Sequence, residues 1–349
     1  VRRRLMLAAP ALLLGVSRGG AQGATPFTLG VASGDPRADS LVLWTRLAPT
    51  PLEPDGGMGP APATLRWELA EDDAFRRIIR RGETTALAEE AHSAHVEVTG
   101  LPPGRPFSYR FLHGGEASPS GRTRTAPAPG DAAPVRFLNA GCQNWEHGHF
   151  TAWAHAARLQ DIAFVFHYGD SIYEGAGRAR PGGWGALVRP HHGGACLTLA
   201  DYRARHAQYR TDADLQAAHA AHPFICTHDD HEVENNWAGE HAGRRNGVRA
   251  TTDFTARRAA ALQAWWEHMP LPRAARDRAF RRLRFGALLD LHVLDTRRFR
   301  DEQPCGDGAR TLCADAFNPD AQMLGRAQEA WLHEGLARGP GWQVLAQQV

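Results

Sequence analysis

The chain has 349 residues, with 40 basic and 38 acidic side chains and a formal net charge of +2 at pH 7. This length predicts about two domains, and the near balance of charge excludes both a disordered chain and a nucleic-acid-binding protein that depends on bulk charge. Because the sequence contains no lysine, Walker A loops and Schiff-base enzymes are excluded as well.

Residues 1–23 have the pattern of a signal peptide. Arginines at positions 2–4 precede an apolar run at 5–16, and small residues follow up to Gly23. The apolar run is shorter than the roughly 20 residues that a transmembrane helix needs. The paired arginines fit a twin-arginine signal, so we expect the twin-arginine machinery to export a periplasmic or secreted protein.

Residues 24–131 predict a small all-β domain. Short β-like runs broken by proline and glycine recur from 27 to 125, with no long amphipathic helix between them. Alternating aromatic residues at Phe107, Tyr109 and Phe111 are typical of a late strand in a fibronectin or immunoglobulin-like sandwich. The tract at 126–134, rich in proline and alanine, predicts a linker.

Residues 132–349 predict an α/β domain, because strand-like and helix-like segments alternate there. The predicted strands are 135–140, 162–168, 223–227 and 288–294, and the predicted helices are 149–160, 201–209, 214–221 and 251–268. Trp265 and Trp266 lie within the last of these helices, and we expect both side chains in the core.

Three of the predicted strands run directly into polar clusters, at 141–144, 169–174 and 228–236. Ligands bind beyond the carboxyl ends of strands in an open α/β sheet, so we expect the clusters to face one crevice. Together they hold a thiol, carboxylates, a phenol and imidazoles, which are the ligands of a metal site. Thiolate and phenolate favour iron or zinc, whereas carboxylate and amide oxygens suit calcium, magnesium or manganese.

The five cysteines are an odd number for an exported protein, so at least one thiol serves another purpose. Cys142 is the candidate, since it follows a predicted strand. Cys305 and Cys313 flank a glycine-rich loop that a disulfide between them would close. The alternative is that all five are buried thiols that behave as small hydrophobes.

In this order, the motifs resemble those of the PhoD-like alkaline phosphatases over about residues 27–349. The matching segments are FTLGVASGDP at 27–36, GCQN at 141–144, GDSIYE at 169–174, DDHEVENN at 229–236 and LDTRRFRD at 294–301. The resemblance implies a small β-domain, a calcineurin-like metallophosphatase domain of α/β sandwich type, and twin-arginine export. It also implies a centre of Fe³⁺ and Ca²⁺ that hydrolyses phosphate esters, with other divalent cations as alternatives.

The resemblance also assigns ligands by position. On the iron side it places Cys142, Asp170 and Tyr173, with Asp170 bridging to calcium. On the calcium side it places Asp229, Asp230, Asn235 and Asn236. The family continues past the segment that matches 347–349 with a further Gly-Asp and His cluster, so we expect this chain to be incomplete at its C-terminus and to hydrolyse phosphate esters much more slowly alone than an extended chain, or not at all.

Catalytic and substrate-binding candidates complete the site. His231, beside two aspartates at a strand end, is placed to give a proton to a leaving alkoxide, and Asp170 is the second catalytic candidate. Asn144 and Arg297 are candidates for substrate binding, because arginine can hold phosphate with two hydrogen bonds. The alternatives are a core histidine for His231, a capping carboxylate for Asp170, and a solvated or salt-bridged arginine.

We therefore expect a monomeric, exported metallophosphatase that hydrolyses phosphate mono- or diesters by a metal-bound hydroxide. One alternative is a phosphodiesterase with phospholipase D-like activity on teichoic-acid or lipid-like substrates. Another is an inactive fragment in which the β-domain binds cell wall or carbohydrate.

Overall fold

The computed structural model describes residues 25–178, 180, 185–245, 248–249, 253–306, 311–339 and 341–349. The predicted signal peptide and part of the glycine-rich loop between Cys305 and Cys313 lie outside the described residues. No α-helix within these ranges combines the length and the apolar character that spanning a membrane requires.

The first region is all β. Its strands are β1 (Val31–Gly34), β2 (Ser40–Arg46), β3 (Ala63–Ala70), β4 (Ile78–Ala86), β5 (Ser93–Thr99), β6 (Pro106–His113), β7 (Glu116–Ala117) and β8 (Gly121–Arg124). The sequence analysis missed β4, because its four consecutive charged and glycine positions hide the alternation of a half-exposed strand.

The second region mixes strands and helices. Its strands are β9 (Phe137–Ala140), β10 (Phe164–His167), β11 (Pro223–Cys226), β12 (Arg244–Arg245), β13 (Val248–Arg249), β14 (Arg281–Phe285), β15 (Leu289–Val293) and β16 (Trp342–Ala346). Its α-helices are α1 (Thr151–Ala156), α2 (Leu199–Arg210), α3 (Ala213–Ala221), α4 (Phe254–His268) and α5 (Arg326–Arg338).

The largest sheet joins the two predicted domains. Its strand order is β5-β2-β1-β11-β10-β9, so strands of the β region continue into the α/β region. The connection is a parallel pair in which Ser33 lies opposite Pro223 and Gly34 opposite Phe224. A side chain at Gly34 would collide with the Pro270 carbonyl oxygen, 2.0 Å from an ideal Cβ. Glycine therefore permits the close approach at this junction.

The edge that carries the functional loops is formed by β9, β10 and β11, which run parallel. His167 at the end of β10 lies opposite both Ala140 of β9 and Cys226 of β11. Because these three strands end level with one another, the segments that follow them emerge side by side. This is the arrangement that the strand-end clusters predict.

Besides a two-stranded sheet of β12 and β13, two smaller sheets pack against the largest one. One has the order β4-β3-β6-β7, with β8 also paired to β6, and its inner face packs against β1, β2 and β5 through a continuous apolar cluster. The other has the order β14-β15-β16 and packs on β10 and β11. The N-terminal part is therefore a two-layer β structure, as the sequence predicts.

Helices α2, α3 and α4 begin with side-chain caps. The Thr198 hydroxyl accepts a hydrogen bond from the Asp201 amide in a capping box at α2, and Asp212 caps α3 in the same way. Trp265 and Trp266 of α4 are buried in the core, as expected. The predicted helix over 149–160 is shorter than expected, because after α1 the chain closes three-residue turns instead of an α-helical ladder.

Cys305 and Cys313 form a disulfide, as the loop between them suggests. Cys142 is a free, exposed thiol, whereas Cys196 and Cys226 are free and buried. The alternative of five buried thiols is therefore wrong.

Candidate metal centre

The loops after β9, β10 and β11 approach one another closely. Cys142 and Asp170 have left-handed backbones, with φ of 55° and 51°. Gly169 has φ of 116°, and an ideal Cβ there would lie 2.5 Å from the Asp229 amide nitrogen. Only glycine fits this position, so the Gly-Asp pair brings the Asp170 carboxylate against the loop after β11.

Asp170 lies at the centre of the cluster. Its Oδ2 atom is 3.3 Å from the Cys142 thiol and accepts a hydrogen bond of 3.0 Å from the Tyr173 hydroxyl. Its Oδ1 atom is buried and has no hydrogen-bond partner among the described residues. Burial and then the charge of Glu232 raise the pKa of Asp170 to about 8. An unpartnered, destabilised carboxylate oxygen of this kind fits a cation ligand.

The deprotonated forms of the thiol and the phenol beside Asp170 are also destabilised. Partial loss of hydration, followed by the charge of Asp170, raises the pKa of Cys142 to about 12, although the residue is exposed overall. Burial, followed by the charge of Asp170, moves the pKa of Tyr173 well above its ordinary value. A bound cation reverses this electrostatic cost, because it stabilises each deprotonated ligand. The donor set of thiol, phenol and carboxylate therefore fits a metal ion.

His231 and Asp230 border the same space. One ligand atom each from Asp170, Asp230 and His231 lie within 4.8 Å of one another. The Nδ1 atom of His231 is 2.7 Å from Glu174 Oε2, and its ring lies 4.2 Å from the Tyr173 ring. Burial lowers the pKa of His231, but the hydrogen bond and charge of Glu174 outweigh burial and raise it to about 9. His231 therefore holds a proton at neutral pH in this arrangement.

Asp229 faces a buried arginine. The Arg297 side chain donates a 2.7 Å hydrogen bond from Nε to Asp229 Oδ1, and its Nη2 atom lies 3.8 Å from Asp230 Oδ2. Arg297 is only 3% exposed. The structure thus supports the alternative of a salt-bridged arginine, and a phosphate-binding role for Arg297 stays a prediction that this burial does not favour.

The three asparagine candidates occupy different positions. The Asn144 side chain accepts a hydrogen bond of 2.9 Å from the Glu146 amide, which caps a short 3₁₀ turn. Asn235 is exposed, and its backbone amide donates to Glu174. The Asn236 amide donates to Asp230 Oδ2 at 2.7 Å. Substrate binding by Asn144 and ligation by the Asn235 side chain stay predictions.

Glu232 is a residue to which the sequence analysis gave no role. Its carboxylate accepts hydrogen bonds from the backbone amides of Asp170 at 3.1 Å, Ser171 at 2.6 Å and Asp229 at 2.7 Å. It also accepts one from the Ser171 hydroxyl at 2.6 Å, and the side chain is fully buried. Glu232 therefore ties the loop after β10 to the loop after β11. The sequence shows an acidic residue inside a cluster that follows a strand. That pattern alone does not tell whether the carboxylate binds a metal or holds two loops together.

Two family models match the chain and divide it between them. The PhoD-like phosphatase model matches residues 137–349, and its N-terminal-domain model matches residues 15–127. The chain belongs to the PhoD-like phosphatase family. The family expected from the motifs is therefore confirmed.

Individual relatives agree with the PhoD-like assignment. Alkaline phosphatase D of Bacillus subtilis (strain 168) is 47% identical over 331 residues, which are 93% of this chain and 56% of that protein. A solved structure titled "Structure of PhoD" superposes with a TM-score of 0.88 at 45% identity, covering 95% of this chain and 64% of that one. The chain thus spans less than two thirds of the length of these relatives.

A more distant structure supports the PhoD-like fold alone. The purple acid phosphatase PPD1 from yellow lupin (Lupinus luteus) seeds superposes with a TM-score of 0.52 at 12% identity, over 90% of this chain and 50% of that one. The expected fold class, an α/β metallophosphatase sandwich preceded by an all-β region, is confirmed. A phosphatase of this type implies metal ions.

Proposed function

We propose that this chain forms the metal-binding core of an exported phosphatase that hydrolyses phosphate mono- or diesters with Fe³⁺ and Ca²⁺. The observation that carries the proposal is the position of Asp170, whose Oδ2 atom contacts both a thiol and a phenol while its buried Oδ1 atom has no hydrogen-bond partner among the described residues. One carboxylate with two differently surrounded oxygens suits a bridge between two cations.

The residues divide by ligand chemistry. Cys142 and Tyr173 would hold iron together with Asp170, because thiolate and phenolate need a strong Lewis acid. Asp230 and the neighbouring loop would hold calcium through oxygen atoms. When bound, the two cations would supply Lewis-acid stabilisation of the phosphate oxygens and a nucleophilic water.

His231 would protonate the leaving oxygen. Its Nδ1 atom is engaged with Glu174, which fixes the ring and keeps it protonated, and this leaves Nε2 as the atom that faces other partners. The Glu174 carboxylate raises the pKa of His231 and so favours the protonated ring that a leaving alkoxide needs. Glu174 therefore acts as the positioning residue for this step.

Elemental analysis combined with visible spectroscopy tests the proposed metal pair. The protein as purified should contain iron and calcium and show a phenolate-to-iron absorption band, which Tyr173→Phe removes. Tyr109→Phe is the matched control, because Tyr109 lies in β6, outside the loops of the proposed metal site, so it should keep the band. His231→Gln should retain both metals and hydrolyse esters more slowly. Zinc alone, or a band that survives Tyr173→Phe, contradicts the proposal.

We also propose that the protein is exported in a folded state. The twin arginines at positions 2–4 motivate this, and the Cys305–Cys313 disulfide supports it, because disulfides persist in oxidising compartments. Replacing Arg2 and Arg3 together by lysine should retain the protein in the cytoplasm of an expressing bacterium with a twin-arginine system. Equal amounts of both forms in the periplasmic fraction would contradict this route.

A further inference from the structure

Behind the metal-binding loops lies an internal cavity with a basic lining. Its volume of about 20 Å³ is room for one small ion or molecule. Its basic side chains come from β10, α2, α3 and α4, and they are His167, His206, Arg210, His219 and His268. Each of these is at most 4% exposed.

Arg210 is the charged group of this cavity. Its guanidinium stacks on the Trp44 ring at 4.3 Å, and its Nε and Nη2 atoms are buried without a hydrogen-bond partner among the described residues. Burial lowers the pKa of Arg210 to about 10, so it stays charged at neutral pH. Among the described residues, no carboxylate forms an ion pair with it. A buried, unpaired guanidinium is costly, because neither water nor a counter-charge stabilises it.

The groups that surround Arg210 are neutral. Burial lowers the pKa of His167 to about 4 and that of His206 to about 3, and it moves the pKa of His219 in the same direction. Burial raises the pKa of Cys226, which also lines the cavity, to about 12. The cavity therefore contains one positive charge and no negative one.

The histidines add hydrogen-bond donors to this charge. The Nδ1 atom of His167 accepts a hydrogen bond of 3.4 Å from the Gly169 amide, which places the proton on Nε2. That Nε2 atom is buried and unpartnered among the described residues, as are His206 Nε2 and His219 Nδ1. The residues that line this space thus carry at least three N–H donors without a partner among the described residues, from Arg210 and His167, and one uncompensated positive charge.

We propose that this cavity is a binding site for one small monovalent anion, a chloride-sized halide. A halide accepts several N–H donors at once and neutralises Arg210, whereas a water molecule would satisfy donors and leave the charge unpaired. Phosphate and other polyatomic anions are too large for the space. Since Gln143 and Ser171 also line the cavity, the anion would support the loops that carry Cys142 and Asp170 from behind.

Thermal unfolding in matched salts tests the site. At equal ionic strength, sodium chloride should raise Tm by about 2 °C or more over sodium gluconate, since an anion that binds only the folded state stabilises it and gluconate does not fit. Screening of surface charges is the same in both salts. Arg210→Gln should lose the difference. Arg203→Gln, on the same helix but paired with Glu267, should keep it.

Bromide provides a measurement that does not depend on a variant folding. Crystals of the wild-type chain grown in sodium bromide should show an anomalous peak in contact with Arg210 Nε and His167 Nε2. Anomalous density there, together with the chloride-specific rise in Tm, supports the proposal. The proposal is overturned if the cavity shows no bromide density, or if Arg210→Gln retains the chloride-specific rise in Tm. In either case the cavity holds water at most.

Discussion

Asp170→Asn should abolish stoichiometric metal binding and slow the hydrolysis of p-nitrophenyl phosphate by about a thousandfold or more, because the proposed metal pair would supply several kcal/mol of transition-state stabilisation. An amide offers one neutral oxygen and cannot bridge two cations. The backbone φ of 51° at this position suits asparagine, so the fold should persist. Titration calorimetry with each metal, followed by the hydrolysis assay, measures both effects.

The metal-free form of the same variant separates ligation from a structural role. The pKa of Asp170 is raised to about 8 in the folded chain, so its charge costs stability increasingly as pH rises from about 4 to 8. Removing that charge should leave the metal-free variant at least as stable as wild type at pH 7. Asp161→Asn, at an exposed aspartate with φ of 59°, is the matched control and should change neither metal binding nor turnover. Near-normal metal binding by Asp170→Asn would rule out the bridge.

The position of the site was predictable from the sequence, because it depends on local patterns. Apolar strands that run into Gly141-Cys142 and Gly169-Asp170 predict polar groups at one edge of a parallel sheet, whichever helices lie between them. The register of β9, β10 and β11 confirms this geometry. The Cys305–Cys313 disulfide was predictable for the same reason, since the two cysteines are close in sequence.

The continuous sheet was not predictable. Turn signals in residues 24–131 indicate strands that pair with neighbours in the sequence, but the pairing of β1 with β11 joins Gly34 to Phe224 across 189 intervening positions. Nothing local identifies such a partner, because any strand with a buried face is compatible with it. The ion-pair partner of Arg297 was not predictable either, because Arg297 and Asp229 are distant in sequence and meet only in the folded chain.

Glu232→Gln should lower the free energy of unfolding by about 2–4 kcal/mol, because hydrogen bonds to a buried charged group contribute ~1.5–3 kcal/mol each and several are lost together. One oxygen of Glu232 accepts the Asp170 and Asp229 amides, and the other accepts the Ser171 amide and hydroxyl. Whichever way the Gln amide turns, its NH₂ group faces two hydrogen-bond donors, so those donors lose their acceptor. Urea unfolding at pH 7 measures the loss.

The same change should weaken metal binding by about 10–100-fold, as expected for a residue that orients ligands without contacting the metal. Glu240→Gln is the matched control, because Glu240 pairs with Arg258 at an exposed position and should change stability by no more than ~1 kcal/mol. If Glu232→Gln unfolds at the wild-type urea concentration and binds metal normally, the two loops hold their positions without this carboxylate. In that case the left-handed backbones of Cys142 and Asp170, with the tight contact at Gly169, would be sufficient to shape the site.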